Sequence, residues 1–243
     1  MLGAHTDSVY DGPGINDDGS GTIGILETAI QLTKYSTTNA VRFAWWAAEE
    51  EGLLGSYHYV ETLNSSANEF AKIRLFLDFD MIASPNYYYA IYDGDGSSFN
   101  LTGPPGSAAI EHWYQRWFDL QGVPYTATAF DGRSDYAGFQ ENGIACGGLF
   151  TGAEAIKTQA EAEIFGGEAG VAFDPNYHSA GDNYTNLNFE PFEIMAQALA
   201  GSVAYYATDL STIPVANSTT TKRGIFPRST RPSRKGLRKI LRK

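Results

Sequence analysis

Val41-Arg42-Phe43-Ala44-Trp45-Trp46-Ala47-Ala48-Glu49-Glu50-Glu51-Gly52-Leu53-Leu54-Gly55-Ser56 changes character twice in a short span. Its first part, Val41–Trp46, is a β-branched and aromatic run of the kind that fills a buried strand. Three acids and a glycine follow, after which Leu53–Leu63 takes up helical spacing. A strand that ends on carboxylates and turns straight into a helix is half of a βαβ unit. Upstream, Asp17, Asp18 and Ser20 are capping residues for a predicted helix over Thr22–Tyr35. Its apolar stripe runs through Ile23, Leu26 and Ile30, with Ile25, Ala29 and Leu32 beside it. Downstream, Ile73–Phe79, Tyr87–Tyr92 and Ile144–Phe150 read as strands, and Ala108–Leu120 and Pro191–Leu210 as helices. This alternation predicts an α/β domain with a largely parallel sheet.

The 243 residues are 43% hydrophobic and 14% aromatic, enough for a packed core. No apolar run approaches the ~18 residues of a membrane helix. Cys146 is the single cysteine, which excludes an intrachain disulfide framework and cysteine-held zinc or iron–sulfur centres. A metal here would be held by His, Asp and Glu. The net charge of −11 conceals two parts, because Lys222–Lys243 holds ten of the 17 Lys+Arg and no acid. Residues 1–221 therefore set seven bases against 28 acids. Such a body repels nucleic acid and favours amine-bearing ligands. The expected organisation is a domain over 1–210 and a disordered basic tail over 211–243. Four Asn-x-Ser/Thr sequons, at Asn64, Asn100, Asn183 and Asn217, point to a secreted, glycosylated protein. Met1-Leu2-Gly3-Ala4 carries no leader pattern, so the natural N-terminus is expected further upstream.

Ligands in open α/β sheets bind beyond the carboxyl ends of strands. Four polar clusters fall at such places: Gly3–Ser8 with His5 and Asp7, Gly14–Gly21 with Asp17, Ala47–Gly52 with Glu49 and Glu50, and Leu77–Ile82 with Asp80. Two neighbouring zinc-like cations need two imidazoles, several carboxylates, one able to bridge, and another to move protons. Tyr177-His178-Ser179 adds the second imidazole. Taken singly, His5 also reads as a capping histidine, Asp17 as a helix N-cap, the Glu triplet as helix N-terminal charge and Asp80 as a turn residue. Together, flanked by apolar runs, they are buried charges that call for pairing or a metal.

Seven stretches, in order, carry a resemblance: Gly-Ala-His-Thr-Asp-Ser (3–8), Gly-Ile-Asn-Asp-Asp-Gly-Ser-Gly (14–21), Arg42–Ser56, Asp-Phe-Asp-Met-Ile (78–82), Asp-Gly-Arg-Ser-Asp (131–135), Gly-Gly-Leu-Phe-Thr-Gly (147–152) and Tyr-His-Ser (177–179). The chain resembles the co-catalytic zinc aminopeptidases of peptidase family M28, especially the secreted bacterial and fungal leucine-type members. The resemblance implies a zinc-exopeptidase-like three-layer αβα sandwich with a mixed, mostly parallel sheet. Its early strands would be missing ahead of His5, which would leave that residue on a frayed end. It implies two zinc ions as cofactors, His5 and Asp80 on one, Glu50 and His178 on the other, with Asp17 bridging. Asp7 would orient the His5 imidazole through its carboxylate. Glu49 would be the general base of peptide hydrolysis and Tyr177 an oxyanion donor.

Arg133 would contact substrate, or else make a surface salt bridge. Met81, Phe150 and Tyr177 would line the pocket for the N-terminal side chain, or else pack in the core. Peptides with a free, apolar N-terminal residue are the implied substrates of a secreted monomer. Two alternatives stand beside this one: a truncated, weak or inactive relative, and a single-zinc, glutaminyl-cyclase-like transferase.

Overall fold

Six strands form one sheet: β1 (Leu2–His5), β2 (Phe43–Trp46), β3 (Leu75–Phe79), β4 (Ala90–Tyr92), β5 (Thr126–Thr128) and β6 (Ala145–Phe150). Their order in the computed structural model, which describes residues 1–216, is β2-β1-β3-β6-β4-β5. Strands β2, β1, β3 and β6 run parallel, and β4 lies antiparallel to β6 and parallel to β5. The sheet is thus mixed and mostly parallel, as expected.

The expectation of a frayed His5 is corrected. Strand β1 is short but central, paired with β2 from Leu2↔Phe43 to His5↔Trp46 and with β3 at Leu2↔Leu77 and Gly3↔Asp78. All four of its residues are buried. Ladders on both sides compensate for its length, and where the β3 ladder ends the His5 N–H is taken by Asp18 Oδ2.

Side chains alternate across this sheet and give each face its own core. Leu75, Leu77 and Phe79 of β3 pack with Ile25, Ile110, Phe118 and Leu199. That face carries the helices α1 (Gly19–Leu32), α4 (Ser107–Gln121) and α7 (Phe189–Tyr206). Phe76 and Cys146 point the other way, into a cluster with Trp46, Val60, Phe70 and Phe139. Here lie α2 (Leu54–Asn64), α3 (Ala67–Phe70) and α5 (Tyr136–Glu141). Phe76 and Phe139 stack at 4.1 Å between ring centroids, only 2° from parallel. The result is the three-layer αβα arrangement. A short α6 (Gln159–Phe165) opens with a capping box between Thr158 and Glu161.

Helix α1 presents a different face from the expected one. Ile23, Leu26 and Ile30 are 40–53% exposed, whereas Ser20, Gly21, Gly24, Ile25 and Thr28 are buried. Close approach decides this, since small residues let the helix lie against β3 where larger ones could not. A Cβ on Gly21 would stand 1.8 Å from the Phe79 carbonyl oxygen and 2.6 Å from Asp18 Oδ1. Gly21→Ala is therefore expected to destabilise the fold by about 2 kcal/mol or more, despite the better helix propensity of alanine. Denaturant unfolding checks this, and an unchanged midpoint would refute the tight approach.

The body also extends past residue 210. Ile213 is 1% exposed within the α1/α4/α7 core, and Arg74 donates to the Ile213 carbonyl. Of residues 211–216 Ile213 alone is buried, while 211, 212, 214 and 215 are exposed. The basic segment from Lys222 and the sequon at Asn217 lie outside the described residues. No helix among the described residues is long and apolar enough to cross a membrane.

Candidate metal centre

The parallel strands deliver four of the expected groups to one end of the sheet. His5 closes β1, Glu49 and Glu50 follow β2, Asp80 follows β3, and Asp17 sits in the loop that leads into α1. His178 arrives from the long loop before α7. His5 Nε2 lies 3.0 Å from Asp17 Oδ1 and 3.6 Å from Asp80 Oδ1. His178 Nε2 lies 3.0 Å from Asp17 Oδ2 and 3.1 Å from Glu50 Oε2. The two oxygens of Asp17 thus each face a different imidazole, and the five side chains form two adjoining groups that share one carboxylate.

The surrounding structure holds these groups in place. His5 Nδ1 lies 3.0 Å from the Asp7 carbonyl oxygen, an acceptor that requires the ring proton on Nδ1. The Asp7 carboxylate lies 3.7 Å from the same ring nitrogen and also accepts from the backbone N–H of Glu49 (3.1 Å) and Glu50 (3.2 Å). Asp7 therefore orients the imidazole by its main chain and fixes both glutamates by its side chain.

Three groups outside the expected site residues, Asp18, Ser134 and Asp182, complete the frame. Asp18 Oδ2 accepts from His5 N–H, and Asp18 Oδ1 from Gly21 and Met81 N–H. Ser134 Oγ donates to Asp80 Oδ2 at 2.7 Å. Asp182 takes the N–H groups of Asn16 and Asp17, and Asn186 braces Asp182 and Asp174. The capping signal at Asp18 was visible in sequence, but its bonds to β1 and to the end of β3 are purely tertiary. Ala48, Met81 and His178, beside or within the ligand set, all have positive φ between 54° and 58°. Strain of this kind persists where surrounding bonds over-determine the backbone.

The donor set fits a divalent metal. With the proton on Nδ1, a neutral His5 turns the bare lone pair of Nε2 toward two carboxylates, which is repulsive without a cation or an added proton between them. Glu50 Oε1 is buried with no hydrogen-bond partner among the described residues. The crowding also appears in the acidities. Burial, then the charge of Asp80, pushes Glu49 up to about 10; burial, then Asp17, pushes Glu50 up to about 7. Burial would lower His5, but the charge of Asp80 and the hydrogen bonds of Asp17 and Asp7 outweigh it and raise the imidazole well above its ordinary value. Two imidazoles with Asp and Glu oxygens are a zinc-type set, and the excess negative charge is what cations offset.

A cleft of about 510 Å³ opens over these groups, lined by Asp17, Glu49, Glu50, Asp80 and His178. The other expected residues border it as well: Met81 and Phe150 on the apolar side, Arg133 and Tyr177 at the mouth. Met81 is only 2% exposed, so it packs in the core and faces the cleft at once. Arg133 makes an ion pair with Glu154 at 2.9 Å and donates to the Tyr177 hydroxyl at 3.3 Å. Glu51, the third acid of the triplet, is exposed and outside the cleft lining.

Residues 1–203 match Peptidase family M28. The probable leucine aminopeptidase 2 of Aspergillus fumigatus is 61% identical over 219 residues, which are 90% of this chain and 43% of that protein. Leucine aminopeptidase 2 of Trichophyton equinum is 54% identical over 227 residues, 93% of this chain and 45% of that one. In structure, a zinc aminopeptidase from Bacillus subtilis matches with a TM-score of 0.68 and 25% identity, over 88% of this chain and 47% of that one. The chain thus spans less than half the length of these relatives.

Proposed function

Because this chain belongs to peptidase family M28, we propose that it is an aminopeptidase that holds two zinc ions and releases the first residue of peptides with a free, apolar N-terminus. His5 and Asp80 would hold one ion, Glu50 and His178 the other, and Asp17 both. The approach of the two imidazoles to opposite oxygens of Asp17, each at 3.0 Å, carries this reading. One bridging carboxylate between two histidines has little purpose around a single ion.

Zinc at this place supplies Lewis-acid polarisation of the scissile carbonyl and acidifies a water molecule. Glu49 accepts the proton of the attacking water and returns it to the leaving amine. Burial and the charge of Asp80 raise Glu49 above the ordinary carboxylate range, and positive charge beside it would bring it back down. The Tyr177 hydroxyl, held by Arg133, points a donor at the oxyanion that forms on the carbonyl. Met81 and Phe150 take the apolar side chain, and the acidic cleft takes the free amine. The sequons at Asn64, Asn100 and Asn183 lie on exposed residues, which suits a secreted protein.

Metal analysis of the folded protein tests the count, with two zinc ions per chain expected. One tightly held zinc would favour the transferase alternative, and zinc without turnover of an aminoacyl chromogenic amide would favour an inactive relative. N-acetylation of a good peptide substrate is expected to lower kcat/KM by about 10²-fold or more, because the carboxylates that receive the amine lose a partner. Equal cleavage of blocked and free peptides would indicate an endopeptidase.

A further inference from the structure

Glu154 lies outside the cleft lining and was not among the expected site residues, yet it is tied to the cleft through Arg133. One guanidinium nitrogen, Nη1, meets Glu154 Oε1 at 2.9 Å, and the other, Nη2, donates to the Tyr177 hydroxyl at 3.3 Å. Tyr177 in turn stacks on the His178 ring at 3.7 Å between centroids. Both nitrogens belong to one rigid planar fork, the group that best recognises a carboxylate. The Glu154 carboxylate is therefore linked through a single guanidinium to the Tyr177 hydroxyl, which marks the scissile carbonyl in the reading above. A dipeptide substrate would bring its own C-terminal carboxylate into that neighbourhood, one residue past the bond to be cut. A longer peptide or an amide would bring a neutral group. Arg133 and Glu154 are 55% and 54% exposed, so the pair is open to competition from the substrate side.

We infer that Glu154 is a specificity-determining residue that occupies Arg133 and thereby turns the site against dipeptides and toward longer or amidated peptides. This rests on the aminopeptidase reading. Glu154 acts twice on a dipeptide: it neutralises the cation that would bind the carboxylate, and it repels that carboxylate directly. Burial raises its carboxyl, but the hydrogen bond and charge of Arg133, its own backbone N–H and the charge of His178 together hold it below the ordinary glutamate value.

The test compares kcat/KM for an apolar dipeptide and for the same dipeptide with a C-terminal amide. In Glu154→Gln the dipeptide-to-amide ratio is expected to rise by about fivefold, mainly through KM, and to return toward the parent ratio at high salt. Adding Arg133→Ala to Glu154→Gln is expected to remove the gain, because no freed guanidinium remains. Calorimetric binding of both ligands to Glu49→Gln, with and without Glu154→Gln, gives the same comparison without turnover. An unchanged ratio in an enzyme that still cleaves the amide overturns the role of Glu154 and leaves the aminopeptidase reading standing. A gain that survives loss of Arg133 also overturns it. Absence of turnover on both substrates in the parent, with zinc bound, overturns the reading itself and this inference with it.

Discussion

Glu49→Gln is expected to lower kcat by about 10³-fold while zinc content stays that of the parent. The amide keeps the shape of the side chain and its place in the cleft but cannot accept a proton from water. Glu49 is 8% exposed and lines the cleft, and its backbone N–H is pinned by Asp7 Oδ1. Its neighbour Glu50 is the one that approaches His178, at 3.1 Å, so the two adjacent acids are already divided between roles. Glu51→Gln, on an exposed side chain outside the lining, is expected to change kcat by less than about twofold. Parallel kinetics and zinc determinations on the two variants decide the register of the triplet. Loss of zinc in Glu49→Gln would make Glu49 a ligand, and a silent Glu49→Gln beside a dead Glu51→Gln would move the base by two residues.

The choice among the three acids rests on the family resemblance; what the sequence itself marks is where the triplet lies, because the loop after β2 is bounded by clear signals. Trp45-Trp46 ends one element, Gly52-Leu53-Leu54 begins another, and the acids between them have little freedom of placement. The same holds for Asp80, which follows the apolar run of β3, and for Asp17, next to a helix cap. Strand β1 was harder to read, since four residues carry almost no periodicity and its stability comes from two neighbours distant in sequence. The face of helix α1 is not legible from apolarity, which points to Ile23, Leu26 and Ile30, because β3 demands the small Gly21 against Phe79, and Gly24 packs on Ile82 and Leu199. Three-residue β5 and six-residue α5 fall below the length at which a period can be counted. The hydrogen bonds of Asp18, Ser134 and Asp182 were hidden for another reason: they join atoms that only the fold brings together.

Chelation is expected to lower the melting temperature by about 10 °C or more, the largest stability effect anticipated for this protein. Without cations, Asp17, Glu49, Glu50 and Asp80 crowd around two imidazoles, with Asp17 and Glu49 at most 8% exposed. The upward shifts of Glu49 and Glu50 show the direction of the strain, as burial first and like charges next oppose ionisation. Ions that bind the native chain and not the unfolded one reverse that penalty. At about a thousandfold excess over the dissociation constant they add about 4 kcal/mol per site. For a domain of this length each kcal/mol moves the midpoint by about 2–4 °C. Asp17→Ala should erase the difference between zinc-loaded and chelated melts, because it removes the carboxylate both ions share. The chelated midpoint of that variant should lie below the chelated parent, since Asp17 pairs with both imidazoles at 3.0 Å and, although burial opposes its charge, the hydrogen bonds of His178 and His5 hold it below the ordinary carboxylate range. Thermal melts of parent and variant, each with zinc and with chelator, separate these outcomes. A parent that melts at the same temperature in both conditions would show that the cluster is held by protons and not by metal. A variant that keeps the full zinc shift would show that Asp17 does not join the two halves of the centre.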